Sequence, residues 1–149
     1  MGQQQLLLVI LVTIIVGIAT VVAINTFSGA ADSANLDAVR QDVASIAASA
    51  QGYYLKPTML GGGGNSFVGL TFNNLAFGAD SIASDGLTAK NQNGKYVIGS
   101  VTASNFVVTA HPSSQITGSV LLGSTAANTM AATISESNVS WTDNSVTNN

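Results

Sequence analysis

The most restrictive feature of this sequence is an apolar run near its start, residues 6–24, which no charged side chain interrupts. Leu, Val, Ile and Ala fill sixteen of its nineteen positions, so a helix formed by this run has no polar face. A helix that is apolar on all sides is buried in lipid or among other helices. At about 1.5 Å per residue, its length also matches the apolar thickness of a bilayer. The run therefore predicts a helix that spends time in a membrane and is later covered by other helices.

Two fates of this run are open from the sequence. It has no Lys or Arg before it, and it is longer than the apolar part of most secretory signal peptides. Ala19, Thr20, Val21 and Ala23 nevertheless imitate a signal cleavage site. We expect the run to be retained as a helix, with cleavage as the alternative.

A second helical pattern follows a short polar stretch in which Gly29 is the expected weak point. Apolar residues recur there at steps of three and four, while polar residues fill much of the opposite side. This pattern predicts an amphipathic helix whose apolar stripe is covered by the domain that follows. Lys56-Pro57 should end the helix, because the residue before proline is disfavoured in the helical region. The residues predicted to pack this helix on the head are Leu36, Val39, Val43, Ile46, Ala50 and Tyr53.

The remaining residues predict a β-rich head. Its first loop, residues 59–65, contains four consecutive glycines, which we interpret as a hinge or a tight crossover from helix to sheet. A phosphate-binding loop would need a following Lys-Ser/Thr and a preceding strand. Asn93-Gly94 between two strand-like runs predicts a hairpin. Strand-like runs are expected to form a set of about five or six short strands; the candidate runs are residues 66–72, 87–90, 95–98, 105–110, 119–122, 130–135 and 138–142.

These patterns predict an α+β fold in three parts. A long N-terminal α-helix is apolar over residues 1–29 and amphipathic over residues 30–56, and it packs on a small antiparallel β-sheet head formed by residues 57–149. Most of the strands are short, so the sheet needs a helix to cover it. The amphipathic half supplies that cover.

The composition argues against several classes of function. Four basic and seven acidic side chains give a net charge of −3, whereas a nucleic-acid surface needs clustered Lys and Arg. Cysteine is absent, so disulfides and thiolate chemistry are excluded. His111 is the only histidine, and we expect it at an edge or in a loop, with no metal or catalytic role. We therefore predict no enzyme activity, no catalytic, cofactor or metal site, and no nucleic-acid partner.

Three further positions have alternative interpretations. Asp80 and Asp85, with the asparagines upstream, offer oxygen ligands for calcium, but turn formation is the expected role. Trp141, the sole tryptophan, is expected to anchor the core. Asn138-Val139-Ser140 matches the glycosylation acceptor triplet, which makes Asn138 a candidate acceptor, although such triplets also arise by chance.

The helical half of the chain resembles a known family. Leu6-Leu7-Leu8-Val9-Ile10 and Gly17-Ile18-Ala19 are similar to the apolar block of a mature pilin helix with its internal glycine. Over about residues 1–56 the chain resembles the type IV pilin superfamily, which includes pseudopilins, and beyond that only in architecture. The glutamate that the family carries near the start of its mature helix is replaced by Gln5 or Leu7, depending on processing. No basic residue precedes Gly2, and no proline follows the apolar block.

The resemblance implies a structural subunit of an extracellular helical filament, similar to a type IV pilus. The implied partners are further copies of the chain, the membrane before assembly and the pilus assembly machinery. The implied location is the cell surface, with an inner-membrane precursor. A membrane-anchored pseudopilin, or a single-pass binding protein that forms no long fibres, is the alternative. Small residues at Thr13, Gly17, Thr20 and Ala23 would allow close helix approach. The residues predicted to pack in the filament core are Leu6, Leu7, Val9, Ile10, Thr13, Ile14, Gly17, Val21 and Ile24.

Overall fold

A computed structural model describes residues 2–142 of the chain, and residues 143–149 of the predicted head lie outside it. Helix α1 spans Gly2–Leu55. It ends directly before Lys56-Pro57, as predicted, and Gly29, the expected weak point, lies within it. The chain divides into two compact units, of which the first reaches Ala34 and the second begins at Asn35. The part of α1 from Asn35 to its end therefore belongs to the unit that contains the sheet.

Within residues 2–142, six antiparallel strands form one sheet in chain order, so that each strand pairs with the next. Helix α1 packs on it, which confirms the predicted α+β fold. The Asn93-Gly94 hairpin joins the second strand to the third. The strands are β1 Ser81–Ile82, β2 Thr88–Lys90, β3 Gly94–Gly99, β4 Asn105–Pro112, β5 Met130–Ser135 and β6 Val139–Thr142.

Two predicted strands are wrong. In residues 66–72 the buried side chains are Phe67, Leu70 and Phe72, whose spacing does not alternate, and Gly69 between them has φ +84°. This segment places three apolar side chains in the core from an irregular backbone instead of pairing with a neighbour. Residues 119–122 lie in the long connection between β4 and β5, where they form no strand. Apolar content alone suggested strands at both places.

The core lies between α1 and one face of the sheet. Alternate residues of β4 and β5 point into it, because successive side chains of a strand face opposite sides. Aromatic rings from loops and strands fill the space beside them, including the Phe67 and Phe106 rings, whose centroids lie 5.1 Å apart. The strand residues buried here include Tyr96, Ile98, Phe106, Val108, Ala110, Met130, Ala132 and Ile134.

Trp141 is not the core anchor that the sequence suggested. Its register partner on β5 is Ala132, so its side chain lies on the core face of the sheet. However, β6 is the last strand of the sheet, and Trp141 remains 41% exposed there. Trp141 is therefore exposed because its strand lies at the edge of the described sheet, although its side chain is on the core face.

Candidate functional site

The first unit presents an apolar helical surface whose side chains are exposed among the described residues. The large side chains predicted to pack in a filament core are between 52% and 67% exposed. The smaller residues Thr13 and Gly17 are exposed as well. An 18-residue window of α1 has a mean hydropathy of 3.2, and none of it is buried. This helix is long and apolar enough to cross a membrane.

The threonine side chains of this helix form hydrogen bonds within it. The hydroxyl groups of Thr13, Thr20 and Thr26 donate to backbone carbonyls three or four residues earlier, at 2.8 to 2.9 Å. A hydroxyl left unpaired in lipid or in an apolar core would cost free energy. Back-bonding to the helix removes that cost. The surface can therefore enter an apolar environment without stranding a side-chain hydrogen-bonding group in this part of the helix.

One side of the helix offers room for close approach. At Gly17, an added β-carbon would meet no atom within 4 Å. Thr13, Thr20 and Ala23 lie at three- or four-residue steps from it or from each other, so they share roughly one stripe. Small residues on such a stripe permit backbone-to-backbone packing between helices. A neighbouring helix could therefore approach most closely along this stripe.

In the second unit, α1 contacts the sheet through the amphipathic stripe. Five of the six predicted packing residues are buried, and Tyr53 is partly buried against the same core cluster. Ala47 is buried with them although it was not among the predicted residues. The buried residues of α1 are Leu36, Val39, Val43, Ile46, Ala47 and Ala50.

A polar cluster centred on Asp42 ties the helix to the β2–β3 hairpin. One carboxylate oxygen, Oδ2, accepts hydrogen bonds from the Tyr96 hydroxyl at 2.6 Å and from the side-chain amides of Asn91 and Asn93 at 2.8 and 2.9 Å. Burial and the carboxylate of Asp42 raise the pKa of Tyr96, so its hydroxyl stays protonated as a donor. Apart from the position of Asp42 beside the apolar stripe, no local sequence pattern predicts this cluster.

Asn35 forms a second polar link at the start of the same unit. Its side-chain amide donates to the Asn93 carbonyl at 3.0 Å and to the Ser113 hydroxyl at 2.8 Å, and its oxygen accepts from the Ser114 N–H at 3.1 Å. One side chain thus joins the helix to two separate loops. The sequence pattern around Asn35 does not predict these partners, because they are distant in the sequence.

The glycine run caps the end of α1. The N–H groups of Gly63, Gly64 and Asn65 donate to the carbonyls of Tyr53, Lys56 and Tyr54 at 2.8 to 2.9 Å. These are carbonyls that a helix end leaves without an intrahelical partner. A β-carbon on Gly63 would collide with the Ser66 carbonyl oxygen, so only glycine fits this approach. This geometry supports a tight crossover from helix to sheet. The three N–H groups already donate to carbonyls and face the negative end of the helix dipole, so they are not placed to bind a phosphate.

His111 lies elsewhere than predicted. It belongs to the interior strand β4 and is only 8% exposed, rather than lying at an edge or in a loop. Its Nδ1 accepts a hydrogen bond from the Ala126 N–H at 3.2 Å, which draws the β4–β5 connection over it. The sequence could not show this cover, because it comes from a segment without regular secondary structure.

The remaining candidates have local roles. Asp85 accepts the Leu87 N–H at 2.9 Å, which is the turn-forming role expected of it. Asn138 is exposed in the turn before β6, and only its backbone groups make the hydrogen bonds that hold this turn. Within residues 2–142, no group of three or more His, Asp or Glu side chains is placed to hold a metal ion.

Comparison with known proteins leaves the function to be argued from the chain itself. No protein family, no curated protein and no solved structure matches this sequence or its fold.

Proposed function

We propose that this chain is the structural subunit of an extracellular helical filament similar to a type IV pilus, assembled by packing of its N-terminal helices. The observation that carries the proposal is the exposed apolar surface of residues 6–24, joined in one chain to a head with its own core. Such a surface requires lipid or other helices around it. In the proposed assembly, the helices of neighbouring subunits replace the lipid around this surface.

The energetics of the proposed assembly depend on the starting environment. Transfer of the sixteen aliphatic residues of this run from water to an apolar medium is worth tens of kcal/mol as an upper estimate. Lipid is as apolar as a helix bundle, so moving a subunit from membrane to filament gains little of that energy. Extraction therefore needs close packing between helices and an assembly machine. Loss of a subunit into water would be very costly, which makes a durable fibre.

Specificity in this core must come from shape. The first charged side chain of the sequence is Asp32, so no side-chain ion pair can set the register of the apolar run. The Gly17 stripe and the amides of Gln3, Gln4 and Gln5 are the features that remain to define it. This differs from the pilin pattern, in which a glutamate near the helix start contributes a charge.

The test is to express the full chain with a pilus assembly system and to image sheared surface material by electron microscopy. Wild-type chain and Gly17→Ala should give fibres, whereas Gly17→Leu should reduce fibre yield strongly because its side chain fills the stripe. Mass spectrometry of the fibre subunit would define its N-terminus. Equal fibre yield from Gly17→Leu and wild type would contradict helix packing on this stripe.

The alternatives predict other outcomes of the same experiment. A single-pass binding protein would stay in the membrane fraction and give no surface fibres. A pseudopilin would give only short stacks that depend on the machinery. Either result would refute the proposal of a long filament.

A further inference from the structure

The face of the sheet opposite α1 carries a row of basic side chains at one end. Lys90 of β2 lies opposite Lys95 of β3, and Lys95 lies opposite His111 of β4. Directly opposed residues of antiparallel strands share a face. Tyr96 bonds to Asp42 of the helix, so its neighbour Lys95 points to the other side of the sheet. The three side chains therefore stand side by side on the outer face.

This row concentrates charge in a chain that has little of it. Two of the four Lys and Arg residues of the whole sequence are adjacent here. Like charges placed directly opposite each other on a sheet are destabilising. Within residues 2–142 the one ion pair joins Arg40 to Asp37 on the helix, so neither lysine has a carboxylate partner among the described residues.

Lys95, in the middle of the row, has no ion-pair partner among the described residues. The residue is only 6% exposed, and no described residue accepts a hydrogen bond from its ammonium group. Burial lowers the pKa of Lys95, and burial together with the charge of Lys95 lowers the pKa of His111. The positive charge of Lys95 is therefore not paired within the part of the chain that the structure describes.

The segment that covers the row contributes no charge to it. The connection that covers His111, residues 113–129, contains no titratable side chain. The N–H of Asp80 donates to the Lys90 carbonyl, but the Asp80 side chain is exposed and forms no ion pair with a described residue. Since Nδ1 of His111 accepts from Ala126, the proton of the neutral ring is on Nε2, which is then a donor.

We propose that Lys90, Lys95 and His111 bind a small phosphate-like oxyanion on the outer face of the head. Two ammonium groups and one imidazole N–H provide donors only, which suits an acceptor with several oxygens and more than one negative charge. The bound anion gives Lys95 and Lys90 the negatively charged partner that they lack among the described residues. This site is separate from the proposed filament core and does not depend on assembly.

The single histidine makes the test direct. The full chain in non-ionic detergent is titrated with inorganic phosphate while the His111 ring signal is followed by NMR, with sodium chloride at matched ionic strength as the reference. We expect a saturable shift with phosphate that chloride does not produce, and a higher His111 pKa at saturation. A shift that is linear in phosphate, or equal with both salts, would overturn the proposal.

Substitutions of single lysines test whether phosphate binds at this row. Lys95→Gln should weaken phosphate binding about tenfold or more, because it removes a charge-assisted contact. Lys90→Gln, on the short strand β2, serves as the second variant if Lys95→Gln does not fold, which Trp141 fluorescence would reveal. Lys56→Gln is the matched control, since Lys56 is exposed after the end of α1, and should leave binding within about twofold. Unchanged affinity in folded Lys95→Gln or in Lys90→Gln would refute the assignment.

Discussion

Replacing Asp42 by alanine should destabilise the head more than any other single removal of a carboxylate. The substitution leaves three donors without their acceptor: the Tyr96 hydroxyl and the side-chain amides of Asn91 and Asn93. Tyr96 is fully buried, whereas the two asparagines are partly exposed and can turn towards water. The hydroxyl therefore dominates the expected cost.

The magnitude follows from these three partners. A buried hydroxyl without an acceptor costs about 1–3 kcal/mol, and two partly exposed amides add roughly 1 kcal/mol together. The better helix propensity of alanine offsets a few tenths of a kcal/mol, roughly. We therefore expect a loss of about 2–4 kcal/mol in the free energy of unfolding, a large part of the stability of a small domain. Tyr96→Phe removes the donor as well as the contact and should cost less.

The assay is urea unfolding of the full chain in non-ionic detergent, followed by Trp141 fluorescence. With a denaturant slope of about 1–3 kcal/mol per M, the Asp42→Ala midpoint should fall by about 0.7–4 M. Asp37→Ala is the matched control, since its pair with Arg40 is exposed on the same helix and is worth at most about 0.5 kcal/mol. If both variants unfold at the same urea concentration, the carboxylate of Asp42 is solvated and the argument fails.

Three further predictions concern the same head. Val43→Asp places an unpaired charge in the core and should cost at least about 3 kcal/mol, seen as early proteolysis of the head; an unchanged digestion pattern would mean that the stripe faces something else. Gly63→Ala should destabilise by about 1–3 kcal/mol through collision with the Ser66 carbonyl, whereas Gly52→Ala, in open helix, should gain about 0.5–1 kcal/mol, both measured by urea midpoint. Because the pKa of His111 is lowered in the folded head, the unfolded chain binds this proton more readily. Stability should therefore be complete above about pH 6.5 and decline below it, and His111→Gln should flatten that decline in a series of melts across pH.

Much of the helix could be predicted because its signals are local. Lys56-Pro57 predicts where α1 ends. The pattern of apolar residues over adjacent turns predicts that its first part is apolar on all sides and its second part is amphipathic. The strands at 105–110 and 130–135 were recognised for the same reason, since both alternate along a regular backbone. The strand predicted for residues 66–72 is wrong because the buried side chains of this segment come from an irregular backbone, which has no fixed periodicity.

The polar contacts could not be predicted in the same way. Asp42 and Tyr96 are 54 residues apart, and nothing in the local pattern of either residue names the other. His111 is buried because the β4–β5 connection returns over it, and Trp141 stays exposed because β6 ends the sheet. Each outcome depends on which segments become neighbours after folding.

The sequence by itself therefore determined the helix, its apolar and amphipathic halves, and the α+β class, because side-chain hydrophobicity and backbone propensity act over a few residues. Only the tertiary structure decided which polar groups hold the helix on the sheet, and that two lysines and a histidine meet on the outer face. The physical reason is that burial and electrostatic environment are properties of neighbours in space. In a meander those neighbours are set by the register of strands, which a single strand's sequence does not contain.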